Sequence, residues 1–230
     1  MQPNTVMKIG RFIIVMFKYL NCKTVFFNFH YLPFKEAIYL PFFLSRNTKL
    51  RRMGGAVILS GPLKPGLIRL GTSEIGLYDK RHNRTVWENS GVVTFHGSAM
   101  IKYGARIIVG KDASLTLGNG FRISSGTSII CYKSIEFGND CRISWDSQII
   151  DTDFHRIFDR HLNHINPDKE IRIGNHCWIG NNCRVHKGTI LGDMVVLSSS
   201  TLVNSSIPDN NVILAGSPAR VIRTSITWGE

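Results

Sequence analysis

Among the residues able to do chemistry, the eight histidines come first. A neutral imidazole accepts a proton near working pH, which makes His the usual side chain for general-base duty. His155 stands out among them because it closes the stretch DTDFH at 151–155, with Asp151 and Asp153 four and two residues before it. Either carboxylate is near enough in sequence to accept the second ring N–H and fix the tautomer, and spacing does not choose between them. Residues 151–170 also break the cadence of the sequence around them, so they must project from whatever scaffold that cadence builds. Loops on rigid scaffolds are where reactive groups collect. His161 and His164 lie in the same loop and read as bystanders.

The cadence is a period of six. From residue 173 the chain divides into IGNHCW, IGNNCR, VHKGTI, LGDMVV, LSSSTL and VNSSIP, opening on Ile173, Ile179, Val185, Leu191, Leu197 and Val203. The fifth positions, Cys177, Cys183, Thr189, Val195, Thr201 and Ile207, are all compact or β-branched. Gly, Asn, Asp and Ser fill the positions between. The pattern returns upstream in VGKDAS, LGNGFR, ISSGTS, FGNDCR and ISWDSQ, with two-residue slips at Thr116 and Glu136. An inward aliphatic, an inward small residue and turn formers describe a short strand followed by a corner, and three such sides close a triangular coil of about eighteen residues. Stacked coils make a parallel β-solenoid with the aliphatic column as its core. The slips are expected to be bulges or enlarged corners. A β-sandwich would instead show two-residue alternation and turns every 8–12 residues.

Composition divides the chain near Gly54-Gly55. Residues 1–56 carry nine Lys and Arg against one acid, Glu36, and hold eight of the thirteen Phe but three of the twenty-one Gly. The whole chain, 230 residues with a net charge of +12, is long enough to fill a core. Its charge suggests an anionic partner, but no RNA-binding module or reading helix is recognisable, which argues against nucleic acid. The first segment contains no hexads and shows alternation in KTVFFNFHYLP. It reads as a cap over the first coil, which a solenoid needs at its end, and its competing or additional role is contact with a membrane surface. The apolar run Phe12 to Phe17, preceded by Lys8 and Arg11, is far shorter than the ~20 residues needed to span a bilayer. Five cysteines, an odd number, fit a reducing compartment. The expected organisation is a cap over 1–56, a solenoid over 57–223 with the loop 151–170, and a tail over 224–230. The expected location is cytoplasmic, with a peripheral position at the inner membrane surface as an addition.

On the residues DTDFH at 151–155, CWIGNNCRVHKGTILGD at 177–193 and IPDNNVILAGSPARVIR at 207–223, the chain resembles the hexapeptide-repeat acyltransferases, most closely the galactoside, maltose and polysaccharide O-acetyltransferases. The resemblance covers roughly residues 95–223. It implies an all-β, left-handed parallel β-helix that assembles as a homotrimer with active sites between subunits, although physics alone favours right-handed crossovers. It also implies transfer of acetyl from acetyl-CoA to a saccharide hydroxyl, on a cell-surface polysaccharide or its precursor, with no metal and no acyl-enzyme. His155 then takes the family's base position, although Arg156 follows it where the sugar enzymes more often have Pro. By the same resemblance, acetyl-CoA contacts fall on Asn181, Ser199, Asn204 and Ser205, with Arg220 and Arg223 near the phosphates; the family often has Lys at the position of Arg220. Acceptor contacts fall near Ser124 and Ser125, where the family has Asn. Trp178, which begins the WIG stretch, is read from its outward place as bordering the acceptor cleft or packing on a neighbouring subunit.

Sugar N-acetylation on the same fold, a non-catalytic scaffold and a γ-carbonic-anhydrase-like metalloenzyme are the alternatives. The last requires a tight His-x4-His pair plus a distant third ligand, and neither 155/161/164 nor 176/186 supplies that pair. Cys141, Cys177 and Cys183 occupy fifth positions and are expected to point into the core as small apolar residues.

Overall fold

The protein is described from a computed structural model covering residues 19–72, 76–79 and 82–229. The first part of the cap segment, including the run Phe12 to Phe17, and Glu230 of the tail lie outside the described residues.

Short strands stack into three parallel sheets, one for each side of a triangular coil. The first holds β1 (Phe42–Leu44), β4 (Ile68–Leu70), β7 (Ala99–Ile101), β10 (Phe121–Ile123), β13 (Arg142–Ile143), β16 (Trp178–Ile179), β19 (Val196–Leu197), β21 (Ile213–Gly216) and β22 (Ala219–Arg223). The second holds β2 (Lys49–Leu50), β5 (Val86–Asn89), β8 (Arg106–Val109), β11 (Ser128–Cys131), β14 (Gln148–Ile150), β17 (Arg184–His186) and β20 (Leu202–Val203). The third holds β3 (Ala56–Leu59), β6 (Val92–Phe95), β9 (Ser114–Leu117), β12 (Ser134–Phe137), β15 (Ile171–Ile173) and β18 (Ile190–Leu191). All neighbours pair in parallel except β21 and β22, which close the far end as an antiparallel hairpin.

The six-residue column forms the core as read. Ile173, Ile179, Val185, Leu191, Leu197 and Val203 are buried, and so are Cys177, Cys183, Thr189, Val195 and Thr201 at the fifth positions. Cys141 joins that inward column. Each buried aliphatic contributes roughly 1.5–3 kcal/mol.

The spacing between register partners shrinks along the stack. It is 22 residues from Ala99 to Phe121, 20 from Arg122 to Arg142, and 18 from Trp178 to Val196. The two-residue slips are enlarged sides with unbroken register: β9 and β12 are four-residue strands that each bury two side chains, Leu115 with Leu117 and Ile135 with Phe137. No bulge is needed, because a longer side turns inward once more before its corner.

The compositional break at Gly54-Gly55 falls inside the first coil, between β2 and β3, because β1 and β2 already pair with β4 and β5. Ahead of them, KTVFFNFHYLP forms helix α1 (Cys22–Tyr31) despite its alternation. Asn21 starts the helix by accepting the amides of Lys23 and Thr24 on its side chain, at 3.0 and 3.2 Å, and Pro33 stops it. The polar residues that look misplaced in an apolar helix serve the exposed edge of β1. Asn28 accepts from the Phe42 amide at 3.0 Å and donates to the Phe42 carbonyl at 2.9 Å; Thr24 accepts from the Leu44 amide at 3.0 Å, and Asn21 donates to the Leu44 carbonyl at 2.8 Å. Side-chain amides and a hydroxyl thus replace the missing strand and keep the edge from recruiting another chain. Phe27 seals the coil interior against Phe42 and Trp87, with ring centroids 4.9 and 5.3 Å apart. Helix α1 therefore covers the open end of the first coil.

Candidate active site

The loop after β14 is an insertion that leaves the coil intact. Arg142 and Trp178 are register partners 36 residues apart, one 18-residue coil plus 18 extra. Its entry is fixed by Asp151, which is completely buried and accepts the backbone amides of Tyr132 at 2.6 Å and Lys133 at 2.8 Å, one on each carboxylate oxygen. Burial raises its pKa, and the amide hydrogen bonds oppose that rise. Phe154 packs edge-on against Tyr132 at 5.1 Å, and its amide donates to Thr152 Oγ1.

Both arms of the loop are tied together by two side chains. Lys187 Nζ, on the coil immediately after β17, donates to Asp153 Oδ2 and to the Asn166 carbonyl, each at 2.6 Å. Asn166 Nδ2 donates to Asp153 Oδ2 at 2.8 Å and to the His155 carbonyl at 2.9 Å, while Asn166 Oδ1 accepts the Ile157 amide at 2.6 Å. The His155 amide donates to the Asp153 carbonyl at 2.7 Å. Together these bonds fix the chain on either side of His155 and leave its imidazole exposed, with no hydrogen bond to another described residue. Asp151 and Asp153 therefore hold the loop and do not touch the ring of His155. His161 and His164 sit at the exposed loop tip, around a turn formed by Asp159. Half-buried His186 stands beneath the loop on β17, and burial pushes its pKa below the usual imidazole value.

Lys187 and Asn166 hold Asp153 below the usual carboxylate range. A depressed pKa means that the ion pair stabilises the fold above the unfolded value of 3.8 and is lost as pH falls through the depressed one. Loop amide protection, corrected for intrinsic exchange rates, should hold from about pH 8 to 5 and collapse below about 3.8. Lys187→Met should remove the protection at all pH values, because the tie between the two arms of the loop is lost. Sequence reasoning missed Lys187 and Asn166. No spacing signal links either to residues 151–155, because the fold alone brings them together.

The other candidates divide between two corners of the triangle. Ser124, Ser125, Asn181 and Ser199 lie between the first and second sheets. There Ser199 Oγ and Asn181 Oδ1 are 2.5 Å apart, beside a polar cleft of about 630 Å³ that includes Asp146, Gln148, Asn182 and Arg184. Tyr78 hydrogen-bonds Asp146 at the same corner, and burial together with that carboxylate pushes its pKa up to about 12. Ser124 and Ser125 are buried under the corner, so of the acceptor candidates only Trp178, on β16, is open to solvent. Asn204 and Ser205 are exposed after β20, at the corner between the second and third sheets that also carries the His155 loop. Arg220 and Arg223 are exposed on β22. One side of the triangle, on the order of 15–20 Å for a six-residue strand and turn, separates the two groups within a chain.

The C-terminal tail returns along the first sheet. Trp228 stacks on His176 at 4.2 Å, donates from Nε1 to the His176 carbonyl at 2.9 Å, and reaches within 5.9 Å of the Trp178 ring. Among the described residues, no group of three or more His, Cys, Asp or Glu is arranged to hold a metal ion.

No protein-family model matches the chain. Its fold is that of the hexapeptide-repeat acetyltransferases, the left-handed parallel β-helix: the crystal structure of the polysialic-acid-specific acetyltransferase NeuO superposes with a TM-score of 0.61 at 22% identity, over 83% of this chain and 89% of that one. In sequence the chain is similar to a polysialic acid O-acetyltransferase of Escherichia coli O1:K1, 30% identical over 60% of this chain and 45% of that protein. It is also similar to an uncharacterised 24.8 kDa protein of the Klebsiella pneumoniae cps region, 36% identical over 61% of this chain and 62% of that one. A putative lipopolysaccharide biosynthesis O-acetyltransferase of Escherichia coli K12 is 28% identical over 59% of this chain and 73% of that protein. The chain thus spans under half of the length of the first of these relatives and about six-tenths of the second.

Proposed function

We propose that the protein is an acetyl-CoA-dependent O-acetyltransferase acting on a saccharide, a cell-surface polysaccharide or its precursor. The observation that carries this reading is the His155 loop: an exposed imidazole on backbone tied to a rigid solenoid by Asp151, Asp153, Asn166 and Lys187. Likeness to polysaccharide O-acetyltransferases supports it. In this reaction His155 takes the proton of the acceptor hydroxyl, whose oxygen attacks the thioester carbonyl. Backbone N–H groups hold the oxyanion as the C–S bond breaks, and coenzyme A leaves as its thiol with that proton. Asp151 and Asp153 are positioning residues, acting on the backbone that carries the base.

The split of candidates between two corners supports a trimer. In it, the loop of one subunit faces the corner of the next, where Asn181 and Ser199 lie beside the polar cleft. Phe154, Ile157, Leu162 and Ile165 leave the loop with an exposed apolar surface that suits such a contact. Asn204, Ser205, Arg220 and Arg223 serve acetyl-CoA in this reading, the arginines on its phosphates, and Trp178 borders the acceptor. Five unpaired cysteines support a cytoplasmic site of action, with the cap against the inner membrane surface.

The test is incubation with acetyl-CoA and a panel of free, nucleotide-linked and polymeric sugars, following thiol release. Release at least about tenfold over the acceptor-free background, with a polymeric or lipid-linked acceptor best, is the expected outcome. Release with none of them would overturn the reading. Light scattering should give a mass near three times 25.9 kDa.

A further inference from the structure

A cap that only sealed the solenoid would show the solvent a polar outer face, as terminal repeats must to remain soluble. Helix α1 does not. Its inner side packs Thr24, Phe27 and Asn28 on the first coil. Its outer side carries Val25, Phe26 and Phe29 at helical spacing, 41%, 55% and 44% exposed. The surface continues through Phe34, 71% exposed and 5.8 Å from the Phe29 ring, into Ile38 and Tyr39 on and beyond the short helix α2 (Phe34–Ala37). A contiguous group of exposed aromatic and aliphatic side chains marks a surface that meets something apolar.

We propose that this face docks on an anionic lipid surface. The charge around it selects that occupant. Exposed Lys35 lies within the apolar stretch beside Glu36, and exposed Arg46 and Lys49 lie on the coil behind it, while Arg51 and Arg52 are paired with Glu88. A second copy of the chain would bring two such basic surfaces together, whereas an anionic bilayer neutralises them and takes up the phenyl rings at its interface. Among the described residues no helix is long and apolar enough to cross a membrane, so the contact is one of lying on the surface. The inference rests on the cap alone and is independent of the acetyl-transfer reading.

The full-length protein is centrifuged with vesicles of phosphatidylglycerol and phosphatidylcholine, or of phosphatidylcholine alone, at low and high salt. Anionic vesicles should pellet about tenfold more protein than neutral ones, and salt should weaken the binding. Phe26→Ser/Phe29→Ser/Phe34→Ser should lower pelleting about tenfold while its melting temperature and thiol release with a soluble acceptor stay at wild-type values. Lys35→Glu should lower binding to anionic vesicles alone. Protein that stays in the supernatant with both vesicle types would overturn the proposal. So would a triple variant that pellets like wild type. A triple variant whose mass in light scattering falls while vesicle binding is unchanged would assign the face to an interface between copies.

Discussion

His155→Ala is expected to lower kcat for acetyl transfer by about 10²–10⁴-fold, the usual contribution of a positioned general base. KM for acetyl-CoA should change little, because the proposed cofactor contacts are Asn204, Ser205, Arg220 and Arg223 and do not include the imidazole. The melting temperature should stay within experimental error of wild type, since the loop's anchors are the backbone contacts of Asp151, Asp153 and Asn166. Steady-state kinetics with acetyl-CoA and the best acceptor measures both effects. Full retention of activity would move the base elsewhere, and half-buried His186 would be the next residue to replace.

The largest stability effect is expected at Trp87. Its side chain is fully buried where the cap meets the first coils, edge-on to Phe27 at 5.3 Å and Tyr31 at 6.3 Å, with Nε1 donating to the Tyr31 hydroxyl at 3.1 Å. Trp87→Ala removes more apolar volume than any other single truncation in this core, at a cost of about 3–5 kcal/mol, and leaves the Tyr31 hydroxyl without its donor. For a chain of this size that is a fall of roughly 6–20 °C in Tm, read by differential scanning calorimetry. Trp87→Phe keeps most of the ring and should recover more than half of the loss. Equal effects of the two variants would mean that the hydrogen bond, and not the packing, joins cap to solenoid.

The solenoid was legible where its period is regular. From residue 173 onward each side is six residues long, so aliphatic and small residues recur in fixed columns. The first coils escape such reading, because their register partners lie 26 residues apart from Phe42 to Ile68 and 31 from Ile68 to Ala99. Long corners hide the repeat there, and the first coil was absorbed into a segment defined by its charge and Phe content. The helix escaped for a different reason. Asn28 and Thr24 interrupt its apolar pattern to serve a strand edge, a demand set by tertiary structure and not by helical propensity. At the site, DTDFH pointed to His155, but the carboxylates looked like partners of its ring when they are fasteners of its backbone. That distinction depends on where Tyr132, Lys133 and Lys187 lie, and sequence distance carries no information about it.

The coil resumes its register after the insertion as though nothing had intervened, with Ile149 still opposite Val185 and Ile135 still opposite Ile171. Loop and scaffold are therefore separable modules joined at one seam, whose stitches are Asp151 on one side and Lys187 on the other. Loops of other lengths grafted between residues 153 and 166 should therefore leave the stack folded.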